Sequence, residues 1–143
     1  MATLELMVIT EAIIKSIKPG PYLDDHAIQR LKSVFPDTLI LGALDLIDRD
    51  SVITYTTPWG RTHYEVLGST ATYTVLPQLS ATNPSSRAYC SCPSFTYAVL
   101  ISETFVLCKH VLAIRLAEQL GKCPTRPASK DDLVALVLRQ NAH

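Results

Sequence analysis

A chain of 143 residues is the size of one ordinary domain, large enough to bury a core but too short for that core plus a separate catalytic domain. Thirteen Lys and Arg balance thirteen Asp and Glu, which excludes a single-signed field able to draw in phosphate backbones or anionic lipid from a distance. Hydrophobic residues make up 48% and charged ones 18%, against about 25% charged in soluble domains. Apolar surface is therefore left over, and with no run near the ~18 apolar residues of a spanning helix, the surplus points to a protein partner.

Over residues 3–17, Leu6, Ile9 and Ile13 recur at helical spacing, with Met7, Val8 and Ile14 widening the stripe before Pro19-Gly20-Pro21 ends the helix. Such a stripe is too broad for a lone surface helix. Residues 6–14 have the look of a signal-peptide core, but Glu11 interrupts them and neither a preceding basic residue nor a small-residue cleavage site accompanies them, so a cytosolic or nuclear location is expected. Asp24 or Asp25 serves as N-cap for a second helix with Ile28, Leu31, Val34 and Phe35 facing inward until Pro36. A third starts at Asp37 and runs through Leu39, Ala43, Leu44 and Ile47.

Composition then shifts to Thr, Val and Tyr, and the alternating stretches 52–56, 62–67 and 72–76 read as strands. Pro58-Trp59-Gly60 and Gly68-Ser69-Thr70 supply turns for an antiparallel meander, and residues 80–86 read as a loop before a fourth strand over 87–90. Helical pattern returns over 95–101. A longer helix follows Cys108, with Arg115, Glu118, Gln119 and Lys122 on one polar stripe, apolar residues elsewhere and Gly121 as C-cap. Pro124 and Pro127 prevent continuation, and Ser129 with Asp132 forms a capping box for a last helix over 129–140.

The chemistry lies in two tight pairs. Cys90-Ser91-Cys92 closes a strand, whose period of two puts both thiols on one face, and Pro93 then turns the chain away. Cys108-Lys109-His110 opens a helix, where residues two apart face nearly opposite sides, so both reach one ion only if Cys108 precedes the first full turn. Three thiolates and an imidazole are a closed tetrahedral set for one structural Zn2+, with bonds of about 2.3 Å to sulfur and 2.0 Å to nitrogen. The resulting net negative charge suits the positive end of the helix at Lys109. Full ligation leaves no position for a catalytic water, so no catalytic residue is expected; Glu103 is the one general-base candidate for a rival enzymatic reading. The bland alternatives are four residues buried by chance and a Cys92 to Cys108 disulfide, which a reducing compartment disfavours. Cys123, His26, His63 and His143 have no ligand companion, and Cys123 reads as a spare thiol and His63 as an exposed strand residue. Arg87, Lys109, Arg115 and Lys122 are the phosphate-contact candidates for a rival reading as an autonomous DNA-binding module.

The pattern Cys-x-Cys, fifteen residues, Cys-x-His, within Tyr89-Cys90-Ser91-Cys92-Pro93 and Leu107-Cys108-Lys109-His110-Val111-Leu112-Ala113, resembles the SWIM zinc finger. A wider likeness runs through Ala43-Leu44-Asp45-Leu46-Ile47-Asp48-Arg49, Tyr64-Glu65-Val66-Leu67-Gly68-Ser69 and Tyr73-Thr74-Val75-Leu76, and is similar to the small SWIM proteins of Shu complexes. The resemblance implies Cys90, Cys92, Cys108 and His110 as metal ligands. It further implies a nuclear, non-enzymatic subunit in homologous recombination repair, pairing as an obligate heteromer with a recombinase paralogue of RecA-like fold and helping the recombinase assemble on single-stranded DNA. Contact with DNA is expected to be indirect or weak, with no membrane and no small-molecule substrate. The expected fold is α+β in a single domain: a helical segment over 1–49, a β-meander plus finger over 50–122 with its core at 89–120, and a C-terminal helix over 129–140.

Overall fold

The computed structural model describes residues 4–59, 62–68, 71–77 and 88–140. Outside them lie Thr3, the turn residues Gly60, Ser69 and Thr70, the loop expected over 80–86, Arg87 and His143. The architecture is α+β. Three helices come first, α1 (Leu4–Lys15), α2 (Asp25–Lys32) and α3 (Asp37–Asp48), followed by strands β1 (Val52–Thr56), β2 (Thr62–Leu67), β3 (Thr72–Leu76) and β4 (Tyr89–Cys90). A π-helical segment (Phe95–Ile101), α4 (Lys109–Leu120), β5 (Thr125–Pro127) and α5 (Lys130–Gln140) complete the order.

Local chemistry sets most boundaries. Asp24 caps α2, its Oδ1 accepting from the Ala27 N–H at 2.7 Å, which satisfies one orphan donor of the first turn. At the other end of the chain the capping box forms reciprocally: the Asp132 N–H donates to Ser129 Oγ at 3.2 Å and the Ser129 N–H to Asp132 Oδ2 at 3.0 Å. Gly121 ends α4 at φ 74°, and the Lys122 N–H returns to the Ala117 carbonyl at 2.8 Å, closing the left-handed cap that favours glycine.

The sheet order is β4-β3-β2-β1-β5. Its first four strands are the expected antiparallel meander, with Val52 opposite Val66, Tyr64 opposite Val75, and Val75 opposite Cys90. Strand periodicity puts these residues on one face, which packs on α4 within a core that also takes Phe35, Ile40, Leu46, Leu112 and Leu116. β5 departs from the expected pattern and makes the sheet mixed, because it runs parallel to β1. Its prolines read as terminators in sequence, but the pairing avoids the missing donors: Pro124 contributes a carbonyl to the Thr54 N–H, and the Ala128 N–H donates to the Thr56 carbonyl, each at 2.9 Å.

Two helices differ in detail from expectation. In α1 the buried residues are Thr10 and Ile14, while Ile9, expected to face inward, is 51% exposed. The rotation follows from Glu11, whose carboxylate accepts from Arg115 of α4 at 2.6 Å; bringing Glu11 to that partner turns the neighbouring positions inward. The segment after Pro93 is helical over the expected residues but π-wound, with the Ser102 N–H bonded to the Tyr97 carbonyl at 2.8 Å. Phe95 turns inward and Tyr97, Leu100 and Ile101 turn out to solvent.

The polar stripe expected on α4 is not a solvated face. Arg115 pairs with Glu11, Gln119 Nε2 donates to the carbonyls of Ile14 (3.1 Å) and Ile17 (3.3 Å), and Lys122 Nζ donates to the Pro21 carbonyl at 2.8 Å. Glu118 accepts from the Tyr64 hydroxyl of β2, and burial followed by that carboxylate raises the Tyr64 pKa. α4 is thus fastened on its polar side as well as its apolar side. Gly42 of α3 lets the two helices close up, since a Cβ there would stand 3.1 Å from Lys109 Cδ.

Candidate metal centre

β4 ends at Cys90, on the edge of the sheet, and its side chain lies on the core face opposite Val75. Cys92 follows two residues later, before the π-helical segment. From the other side, Cys108 is the N-cap of α4 with extended backbone (φ −86°, ψ 171°), so it precedes the first turn as the ligand geometry requires, and His110 sits within that turn. All four are buried, and their ligand atoms lie within 4.8 Å of one another. His110 Nδ1 stands 3.8 Å from Cys90 Sγ and 3.9 Å from Cys108 Sγ. In a regular tetrahedron with zinc bond lengths, sulfur and nitrogen ligands are separated by about 3.6 Å. The arrangement therefore fits one zinc ion with only small adjustments.

Three residues outside the ligand motif support the site. The Phe95 N–H donates to Cys92 Sγ at 3.2 Å, a bond to sulfur that offsets part of its negative charge. The Val111 amide likewise favours the thiolate of Cys108. The Tyr73 ring lies against His110 with centroids 4.6 Å apart at 40°, fixing the plane of the imidazole. None of the three was legible as a site residue in sequence, although Phe95 stands at the third position after Cys92, where an amide can fold back on the sulfur.

The thiols themselves call for a cation. Hydrogen bonds from Cys108 and then Cys90 hold Cys92 well below the ordinary thiol range, whereas Cys90, bonded to Cys108 and Cys92 and buried, is pushed far above it. Without a counter-charge one thiolate excludes the others, because like charges at this separation cannot all ionise in a buried site. A divalent ion removes that conflict by stabilising every sulfur as thiolate. The ion is structural: three sulfurs and a nitrogen close its coordination.

The remaining candidates fall elsewhere. All four cysteines are free, so no disulfide joins Cys92 to Cys108. Cys123 lies beyond the far end of α4, its Sγ 2.6 Å from Thr54 Oγ1, and burial raises its thiol pKa. His63 is half-buried on β2 rather than exposed, facing Tyr55 across the strand pair. Glu103 takes a left-handed backbone (φ 52°) after the π-helical segment, and among the described residues no carboxylate joins the metal group. His26 lines a separate cavity between α2 and the loop that follows α1.

The fold and the Cys3His cluster define the class, that of SWIM zinc finger proteins, and the family model described as SWIM zinc finger matches residues 73–117. The likeness extends over most of the chain. It is 38% identical over 124 residues to zinc finger SWIM domain-containing protein 7 of Mus musculus, covering 86% of this chain and 76% of that protein. With the Homo sapiens protein of the same name it shares 34% over 126 residues, covering 87% and 84%, and with that of Danio rerio 30% over 140 residues, covering 94% of each. The chain belongs to the zinc finger SWIM domain-containing protein 7 family. No solved structure matches it.

Proposed function

We propose that this chain is a non-enzymatic, zinc-stabilised subunit of a Shu-type complex. In this reading it pairs obligately with a recombinase paralogue of RecA-like fold and promotes assembly of the recombinase on single-stranded DNA during homologous recombination repair in the nucleus. The observation that carries the reading is the likeness beyond the finger, in Ala43 to Arg49, Tyr64 to Ser69 and Tyr73 to Leu76. Those stretches fall on α3, β2 and β3, the frame that holds the finger.

Two physical features support it. The Cys3His set is complete without a water position, unlike hydrolytic zinc sites. Apolar side chains stand exposed on the π-helical segment (Tyr97, Leu100, Ile101) and on α1 (Leu4, Val8, Ile9), as expected of a subunit that buries surface against a partner. The rival reading, a DNA-binding module acting through the finger helix, loses two of its cations to internal bonds, since Arg115 is committed to Glu11 and Lys122 to the Pro21 carbonyl.

The test is to tag the chain at its native expression level and identify what co-purifies. A recombinase paralogue in stoichiometric amount is the expected result. A stable, soluble monomer that associates with no such protein overturns the proposal.

A further inference from the structure

A cavity of about 320 Å³ opens between α2 and the loop that follows α1, lined by Lys18, Tyr22, His26 and Arg30 among others. Lys18 and Arg30 enter no ion pair among the described residues. Asp24, the one carboxylate in the lining, is turned to its own helix as acceptor for Ala27 but keeps its charge, so the lining carries two cations against one anion. The cavity thus presents two uncommitted cations and an imidazole to anything that enters. On its rim Tyr22 is 80% exposed, well beyond the intermediate burial usual for tyrosine. A cation flanks its ring: Lys122 Nζ lies 5.3 Å from the centroid.

The loop that carries Tyr22 is held in place. Lys122 Nζ bonds the Pro21 carbonyl at 2.8 Å and the Gly20 N–H reaches the Leu120 carbonyl at 3.4 Å. Leu120 ends α4 and Lys122 follows its Gly121 cap, while the opposite end of the helix carries Cys108 and His110. The helix that zinc fixes at one end therefore positions an exposed ring and a cationic hollow at the other, about 18 Å away for twelve residues.

The geometry points to a single-stranded nucleic acid contact in this hollow, with Lys18 and Arg30 taking a backbone phosphate and Tyr22 stacking on the adjoining base. A stacking ring beside paired cations is the recognition chemistry of unpaired strands, whose bases are free to stack, and it is not suited to duplex DNA, whose bases are already stacked. The zero net charge of the chain keeps the contact weak and local, as one phosphate and one base would be. The inference deepens the proposed role at single-stranded DNA, on which it rests, by assigning a surface away from the finger.

The test uses the full chain, zinc-loaded and fused to a soluble carrier, titrated against a fluorescent oligothymidylate and against a duplex of the same length at low salt. Wild type is expected to prefer the single strand. Tyr22→Ala should weaken that binding by at least about fivefold, the low end of what one stacked base contributes, while Tyr22→Phe keeps it. Lys18→Ala with Arg30→Ala should lower the salt slope by about 0.7, the value for one phosphate on a single strand. Zinc content, measured on the same variants, should stay at wild-type values because all three residues are exposed and lie outside the buried Cys90, Cys92, Cys108 and His110 group. No binding by wild type, equal binding of duplex, or indifference to Tyr22→Ala overturns the inference. Failure of wild type to capture a recombinase paralogue is a separate result and overturns the proposed function instead.

Discussion

Replacing Cys108 by Ser removes one of three sulfurs while leaving a side chain of nearly the same shape, so its effect isolates the metal bond. Structural zinc sites contribute about 10–16 kcal/mol of apparent binding energy coupled to folding. Shared among four ligands this is about 2.5–4 kcal/mol each, or a loss in zinc affinity of ~10²–10³-fold. The structure says where the loss is felt. Cys108 is the N-cap of α4, joined through the ion to Cys90 at the sheet edge and Cys92 ahead of the π-helical segment. The C-terminal half of α4 has independent fastenings through Arg115, Gln119 and Lys122. Hydrogen exchange should therefore rise first in residues 90–112 and less in α1 and the end of α4. Competition with a chromophoric chelator measures the affinity, and exchange measured by mass spectrometry maps the loosening. A variant that holds zinc within about threefold of wild type, or that loses protection evenly along the chain, would refute the reasoning.

Further outcomes follow from the interior. The Glu11 and Arg115 side chains are 15% and 12% exposed, so Arg115→Ala leaves Glu11 only its longer pairing with Lys15 at 3.7 Å and should cost about 2 kcal/mol in urea unfolding, below the ~3–5 of a fully buried pair that loses its sole partner. The double substitution Glu11→Leu with Arg115→Met removes both charges at once and should recover most of that loss. Thr10 Oγ1 is buried without a hydrogen-bond partner among the described residues, and Thr10→Val should raise stability by about 1 kcal/mol, read as a higher urea midpoint. The Ser129 backbone N–H, then its hydroxyl, holds the Asp132 carboxyl below its ordinary 3.8. A depressed folded pKa means that the cap contributes above the unfolded value and fades as pH falls through the folded one. NMR titration should place the Asp132 carboxyl below the ordinary aspartate range in wild type and nearer to it in Ser129→Ala.

The metal group was legible in the sequence, because ligand pairs separated by one residue are local facts, although β4 ends at Cys90 and Cys92 reaches the site from the bend beyond it rather than from the strand, while the helix start fixes Cys108 and His110. Caps at Asp24, Gly121 and Ser129 with Asp132 are local in the same sense, each using a side chain or φ value within three residues of the helix end. The meander followed from alternation and turn residues, for the same reason.

What the chain alone left open depends on partners distant in sequence. The stripe of Arg115, Gln119 and Lys122 reads as a wet helix face, yet each finds an acceptor in α1 or the loop after it, about a hundred residues away. That same seam turned α1 so that Thr10 and Ile14 are buried and Ile9 is not. β5 carries no pattern of its own, and exists because β1 offers an N–H at Thr54 and a carbonyl at Thr56 to a stretch that prolines had already extended. Periodicity records which residues avoid water, but a polar side chain with a buried partner and one with a solvent shell leave the same mark in a sequence. Only the packed helices distinguish them, because a polar group survives burial only where its hydrogen bonds are met by another part of the chain.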